Sequence, residues 1–206
     1  MTLGSRVELT ESHGSWAVSF ARRVIESVVK TGNPPPKPED VDGVFEIERG
    51  AFVTLRKNGR LRGCIGRPTP EQSAIKAIRA AAVEAATNDP RFPPVSESEL
   101  STVTVEVSIL TPPKEVTPVD SEAITVGQDG LIVQRNDRSG LLLPQVPADQ
   151  SWDAETFLTK TCKKAGLQGD CWQQPDTTVL QFRAQVFEET EPNGPIERVG
   201  LTEQQN

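Results

Sequence analysis

Apolar residues recur every four positions through the first long stretch of the chain. Phe20, Val24 and Val28 form one stripe with Ala17, Ala21 and Ile25 beside it, which predicts a helix over residues 11–30. Ser12 would cap its start and Gly32 would stop it. The proline-rich run NPPPKP at 33–38 cannot be helical and reads as a connector. Beyond it the period falls to two. Residues 44–56 are strand-like, and Lys57-Asn58-Gly59 turns the chain into a second strand. A three-residue loop with Gly59 left-handed fits the pattern. It puts Ala51, Val53, Leu55, Leu61, Gly63 and Ile65 on one face, and Phe52, Thr54, Arg56, Arg60, Arg62 and Cys64 on the other.

Helical spacing returns with Ile75, Ile78, Ala82 and Ala85. Thr69-Pro70-Glu71-Gln72 reads as its start, with Thr69 as cap, Pro70 in the first position and Gln72 completing a capping box. Pro90 pushes Asp89 out of helical geometry, so the helix ends before the rigid loop NDPRFPP at 88–94. Strict alternation over 102–111 sets Val103, Val105, Val107 and Ile109 against Thr104, Glu106 and Ser108. Short strands follow at 124–126, 131–134 and 141–143. A helix over 152–165 carries Phe157, Leu158, Cys162 and Ala165 on one stripe, and a last strand covers 178–187. Residues 191–206 form a polar tail. Few helices and several hairpin-linked strands predict an α+β fold, a mixed or antiparallel sheet flanked by helices.

A chain of 206 residues can bury a core without staples. Its three cysteines, an odd number, argue against a disulfide framework and for a reducing, cytoplasmic setting. No apolar run is long enough to span a bilayer, and no signal peptide is visible. A net charge of −7 disfavours nucleic acid as a partner. Yet residues 49–67 hold Arg49, Arg56, Lys57, Arg60, Arg62 and Arg67 with no Asp or Glu, a segment that could focus an anion or simply keep a hairpin soluble. Histidine occurs once, at His13, so a two-histidine metal site cannot be built. Cys162 and Cys171 lack the spacing of a zinc site, and core packing is expected for Cys162. No phosphate loop is present; no metal and no cofactor is expected.

The hexapeptide Leu61–Gly66 (LRGCIG) resembles the signature of the AMMECR family. NDPRFPP at 88–94, EVSILTPP at 106–113, LLLPQV at 141–146 and the pattern from Trp152 to Leu167 follow in the family's order. The resemblance covers most of the chain from about Phe52 to Glu189. It implies one domain over 1–190 in two parts, the second smaller, with a cleft between them lined by the shared residues. It implies no established activity, and an association with radical-SAM and MEMO-like proteins as pathway partners.

The candidate site is drawn around Leu61, Arg62, Gly63, Cys64, Ile65 and Gly66, with Asp89, Arg91 and Glu106. Arginines beside Cys64 would stabilise a thiolate, suiting a nucleophile or a redox thiol. Gly63 and Gly66 would let a ligand approach the backbone, or a helix pack closely. Arg62 could grip a carboxylate or phosphate in two hydrogen bonds, or pair with an acid. Glu106 is the candidate base, or a surface charge. Asp89 and Arg91 would line the cleft or tie down their loop. Three functions remain open: a binding module for an anionic small molecule or modified peptide, an enzyme built on Cys64 and Glu106, and a protein-interaction adaptor.

Overall fold

The computed structural model describes residues 8–200. The first seven residues, and the last six of the expected tail, lie outside the described residues. The chain falls into two compact units: one runs to Leu110 and returns for Gln185–Gly200, the other is Thr111–Ala184. The fold is α+β, with eight strands among the described residues joined in antiparallel pairs.

In the first unit, helix α1 (Glu11–Thr31) is capped by Thr10 rather than by Ser12. Thr10 Oγ1 accepts from the His13 N–H, and His13 Nδ1 accepts from the Thr10 N–H. The one histidine of the chain is thus engaged in a helix cap. Strand β1 (Ala51–Lys57) begins later than the expected residue 44, because 43–45 form a short 3-10 turn. Strand β2 (Arg60–Arg67) pairs with β1, and strand β3 (Val103–Leu110) lies on β1's other side. Helix α2 (Ala74–Thr87) follows β2, and strand β8 (Ile196–Val199) pairs with the end of β7 (Thr178–Glu189). Residues 196–199 were expected in a tail. Instead a tight turn, closed by the Gly194 N–H on the Glu191 carbonyl, returns them to the sheet.

The strand order in this unit is β2-β1-β3-β7. One sheet face packs on α1 and α2: Val53, Leu55, Val105, Val107 and Ile109 meet Phe20, Val24, Ile75, Ile78 and Ala82 in one core. Arg22 of α1 is buried there and is matched by Glu189 and by the carbonyls of Leu100 and Val103.

Two local expectations are corrected. The hairpin loop has two residues, with Asn58 and Gly59 both at positive φ. Lys57 then faces Arg60 and Arg56 faces Leu61, which mixes charge and hydrophobe, and Leu61 is exposed. A bulge at Arg62 restores parity, so that Leu55 pairs with Gly63 and Thr54 with Cys64. The face assignment therefore stands for β1 and for β2 from Gly63 onward, but Arg60 and Leu61 lie on the faces opposite to those expected, and the loop is shorter than expected. The second correction concerns α2, which starts at Ala74 behind Ser73, and Ser73 makes no side-chain cap bond. The Arg49 N–H donates to the Gln72 carbonyl and the Ala74 N–H to the Ile47 carbonyl, around a Glu48–Ser73 bridge. That pairing holds Ser73 extended just before the helix and leaves the capping box unmade.

The second unit contains β4 (Lys114–Glu115), β5 (Asp129–Arg135), β6 (Arg138–Leu142), α3 (Gln145–Asp149), α4 (Ala154–Lys164) and the first part of β7. Its strand order is β6-β5-β7, with β4 also on β7. The strand expected at 124–126 is absent: a 3-10 turn at 121–123 leads into a turn where the Asp129 carboxylate accepts from the Thr125 N–H. Leu131, Val133, Phe157, Leu158 and Val179 form a separate core. Within it Cys162 and Cys171 are joined in a disulfide across nine residues, which corrects the expectation of unpaired thiols. An odd cysteine count does not exclude one bonded pair and one free thiol. After Gly166 ends the helix, residues 171–173 fold back onto α4 and bring Cys171 to the inward face of the helix. No helix among the described residues is long and apolar enough to cross a membrane.

Candidate functional site

The hexapeptide lies on β2, which has β1 on one side only. An exposed edge must satisfy its outward backbone groups. At Cys64 the loop after α2 does this. The Cys64 N–H donates to Asp89 Oδ2 at 2.8 Å, and Arg91 Nη2 donates to the Cys64 carbonyl at 3.0 Å. Asp89 in turn accepts from the Arg91 N–H, Nε and Nη2. Asp89 is 4% exposed. Its hydrogen bond with the Arg91 guanidinium, helped by the Cys64 and Arg91 backbone N–H groups, holds its carboxyl well below the usual range. The same pairing raises Arg91. Asp89 and Arg91 are thus brought to the motif as a clip on its backbone.

Arg62 is held as firmly. Its Nε and Nη2 donate to the two oxygens of Glu99 at 3.0 Å each, and Nη1 and Nη2 reach the Pro93 and Pro94 carbonyls. Arg62 bonds, Lys57 and the Ser96 cap hold the Glu99 carboxyl far below its ordinary value, against the opposing pull of burial. Phe92 lies within about 6 Å of both the Arg62 and Arg91 guanidinium carbons. The space beside both motif glycines is filled by the protein itself. A Cβ on Gly63 would overlap the Ala85 carbonyl oxygen of α2, and one on Gly66 would overlap the Phe52 ring. Ile65 packs at the margin of the core.

Since Gly63 faces α2, alternation turns Cys64 to the opposite face. There it is half-buried and is the one free thiol. Cys64 pairs with Thr54, and Thr54 pairs with Glu106 on the far side. The three stand in a row across β2, β1 and β3, with Cys64 and Glu106 about 10 Å apart at the backbone. Thr54 Oγ1 lies 3.3 Å from the Cys64 Sγ and donates to it. Glu106 Oε2 accepts from Arg56 Nε and Nη2 at 3.3 and 3.2 Å. Gln185, Phe187 and Glu189 face α1, so alternation puts Glu188 on the thiol's side. Burial pushes the Glu188 carboxyl up, and repulsion from Glu106 adds to it.

Cys64 and Glu106 therefore share a face, with Thr54 between them. Arg62, Asp89 and Arg91 address the backbone and loop of the motif instead. Gly66 also borders a pocket of about 370 Å³ whose lining does not include Cys64. Thr54, Glu99 and Glu188 were not singled out from the sequence. Thr54 was readable from strand parity, and Glu99 from the Ser96-x-x-Glu99 cap signature, which the structure contains. Glu188 carried no signal. No cluster of three or more His, Cys, Asp or Glu placed to hold a metal ion is found among the described residues.

The chain is 49% identical over 185 residues to a protein of Methanothermobacter thermautotrophicus, covering 88% of this chain and 96% of that relative. It is 46% identical over 201 residues to a protein of Thermococcus gammatolerans, covering 94% and 98%. The crystal structure of the uncharacterised protein PH0010 from Pyrococcus horikoshii is similar to this fold. The TM-score is 0.82 at 45% identity, over 93% of this chain and 98% of that one. The AMMECR1 family model matches residues 18–187, a stretch that contains the clipped edge strand, the thiol row and the disulfide-bearing unit. The chain belongs to the AMMECR1 family.

Proposed function

We propose that the protein is a binding module, a pathway accessory that holds a small anionic molecule or a modified peptide against the sheet face bearing Cys64, Thr54 and Glu106. One observation carries this reading. An antiparallel sheet ordinarily has an apolar packed face and a polar face in water. Here the face opposite the helices is polar yet withdrawn: Thr54 and Ser108 are each 6% exposed and the Glu106 side chain 12%. Small-molecule sites are mostly apolar and fix their occupant with a few convergent polar groups shielded from water, and Cys64, Thr54 and Glu106 supply such groups here. Arg56 supplies the positive charge, and its pair with Glu106 leaves Nη1 for an anionic group. Arg62, Asp89 and Arg91 keep the floor's edge strand in place. Partners of the radical-SAM or MEMO-like kind would deliver or consume such an occupant.

Thermal unfolding with inorganic phosphate, phosphoserine, succinate and a phosphopeptide tests the reading. At least one probe should raise the midpoint, and Arg56→Gln or Cys64→Ser should reduce that rise. No rise with any probe, or a rise untouched by both variants, removes the proposal.

A second reading follows from the Thr54 hydroxyl on Sγ and Glu106 next in the row: Cys64 acts as a nucleophile or redox thiol, with Glu106 as the base. Because Cys162 and Cys171 are bonded, iodoacetamide reports on Cys64 alone. Rapid alkylation well below the ordinary thiol value of about 8.5 supports the enzyme; a slow, free-thiol-like rate excludes it.

A further inference from the structure

A distinct pocket of about 370 Å³ lies beyond the hexapeptide, with Gly66 at its border and Ala80 of α2 in its wall. Its polar lining is Arg67, Thr69, Glu71 and Gln72. Three of these are the residues whose pattern predicts a helix cap. The cap is not made, because Ser73 is held extended and bridged to Glu48, so that the helix starts only at Ala74. Among the described residues, no group hydrogen-bonds to the side chains of Thr69, Glu71 or Gln72. Arg67 pairs with Glu84, but Arg67 is exposed and Glu84 only half-buried, and a pair so open to water competes weakly with a ligand. A strong local signal that the fold overrides, leaving its polar groups unmatched around a pocket, is the kind of conflict expected at a functional position.

We propose that this pocket binds a zwitterion of amino-acid size. The ligand's carboxylate meets Arg67, its ammonium meets Glu71, and Thr69 and Gln72 supply the remaining donors and acceptors. The charges on the lining decide the class. One guanidinium and one carboxylate match a ligand with both signs better than a pure anion, which Glu71 would repel, or a pure cation, which Arg67 would repel. The volume is at the lower end for small-molecule sites. A free amino acid and a short peptide share this chemistry and differ in the separation of their charges.

Titration calorimetry on the full chain uses L-alanine and alanyl-alanine as zwitterions, with propionate and ethylamine as the separate halves. At least one zwitterion should bind about tenfold or more tightly than either half, the factor for one charge-assisted hydrogen bond. Tighter binding of L-alanine identifies a free amino acid as the source; tighter binding of alanyl-alanine identifies a peptide. Arg67→Gln and Glu71→Gln should each weaken the preferred zwitterion by a similar factor, and both variants should melt like the parent because the side chains are exposed. Cys64→Ser should leave this binding unchanged, which separates it from the thiol face. No zwitterion binding, binding no tighter than the halves, or binding indifferent to both pocket variants would overturn the proposal.

Discussion

Two adjoining stretches of the chain treat their polar groups in opposite ways. From Arg62 to Cys64, the edge-strand backbone and the arginine are matched: Asp89 and Arg91 take the Cys64 amide and carbonyl, and Glu99, Pro93 and Pro94 take the Arg62 guanidinium. From Thr69 to Gln72, the side chains stand unmatched around a pocket. The first arrangement fixes where a side chain is presented; the second leaves groups available to something else. The polar groups of a basic, glycine-rich motif are thus mostly engaged in holding an edge strand, and side chains that the protein leaves unmatched stand beside it.

The largest expected effect comes from breaking the held stretch. Asp89→Ala removes the acceptor of the Cys64 and Arg91 N–H groups and should cost about 2–3 kcal/mol, the upper part of the range for buried polar groups left unpaired. Urea unfolding measures it. The effect should fade with acid. The Asp89 carboxyl is depressed in the fold, so its stabilisation is complete above the unfolded value of about 3.9. As pH drops below that, the unfolded chain takes up the proton first and the advantage shrinks, until the folded carboxyl is protonated too. Asp89→Asn should therefore flatten the acid limb of stability, and an unaltered limb would show that the clip carries no such linkage.

Next in size is the close approach of α2. Gly63→Ala puts a methyl group against a main-chain carbonyl that cannot turn aside, and overpacking of this kind costs about 1–3 kcal/mol. Gly66→Ala meets only the ring of Phe52, a side chain able to rotate, and should cost less. Equal losses at the two positions would mean that the helix yields as readily as the ring.

Legibility from sequence follows the same division. The alternation at 102–111, the faces of β1 and those of β2 from Gly63 onward were readable because one side of the sheet is apolar. Parity at Cys64 was assigned correctly from a loop that was wrong, because the bulge at Arg62 compensates for the shorter turn. The clip was only half readable: a rigid loop after the helix was evident, but not that Asp89 would bond a backbone amide 25 residues earlier. The cap at Thr69 failed because local preference was overridden by pairing with 47–49, a long-range event with no local signature. The disulfide was missed because counting says nothing about how 171–173 folds onto α4.

The smallest expected effect is the most discriminating. A working cap loses about 1 kcal/mol on substitution by alanine. Asp153 is such a cap: its carboxylate accepts from the Thr156 N–H at 2.8 Å, so Asp153→Ala should show that loss. Thr69 has the better sequence signature but stands several residues before the first turn of α2, with no amide in reach. Thr69→Ala should therefore change stability by less than about 0.5 kcal/mol, as an ordinary surface substitution does. Chemical denaturation of the two variants side by side decides the point. A loss at Thr69 equal to that at Asp153 would mean that α2 extends back to its predicted start in solution. Residues 69–72 would then form the first helical turn, with Thr69 and Gln72 tied up in the cap and no longer facing a pocket.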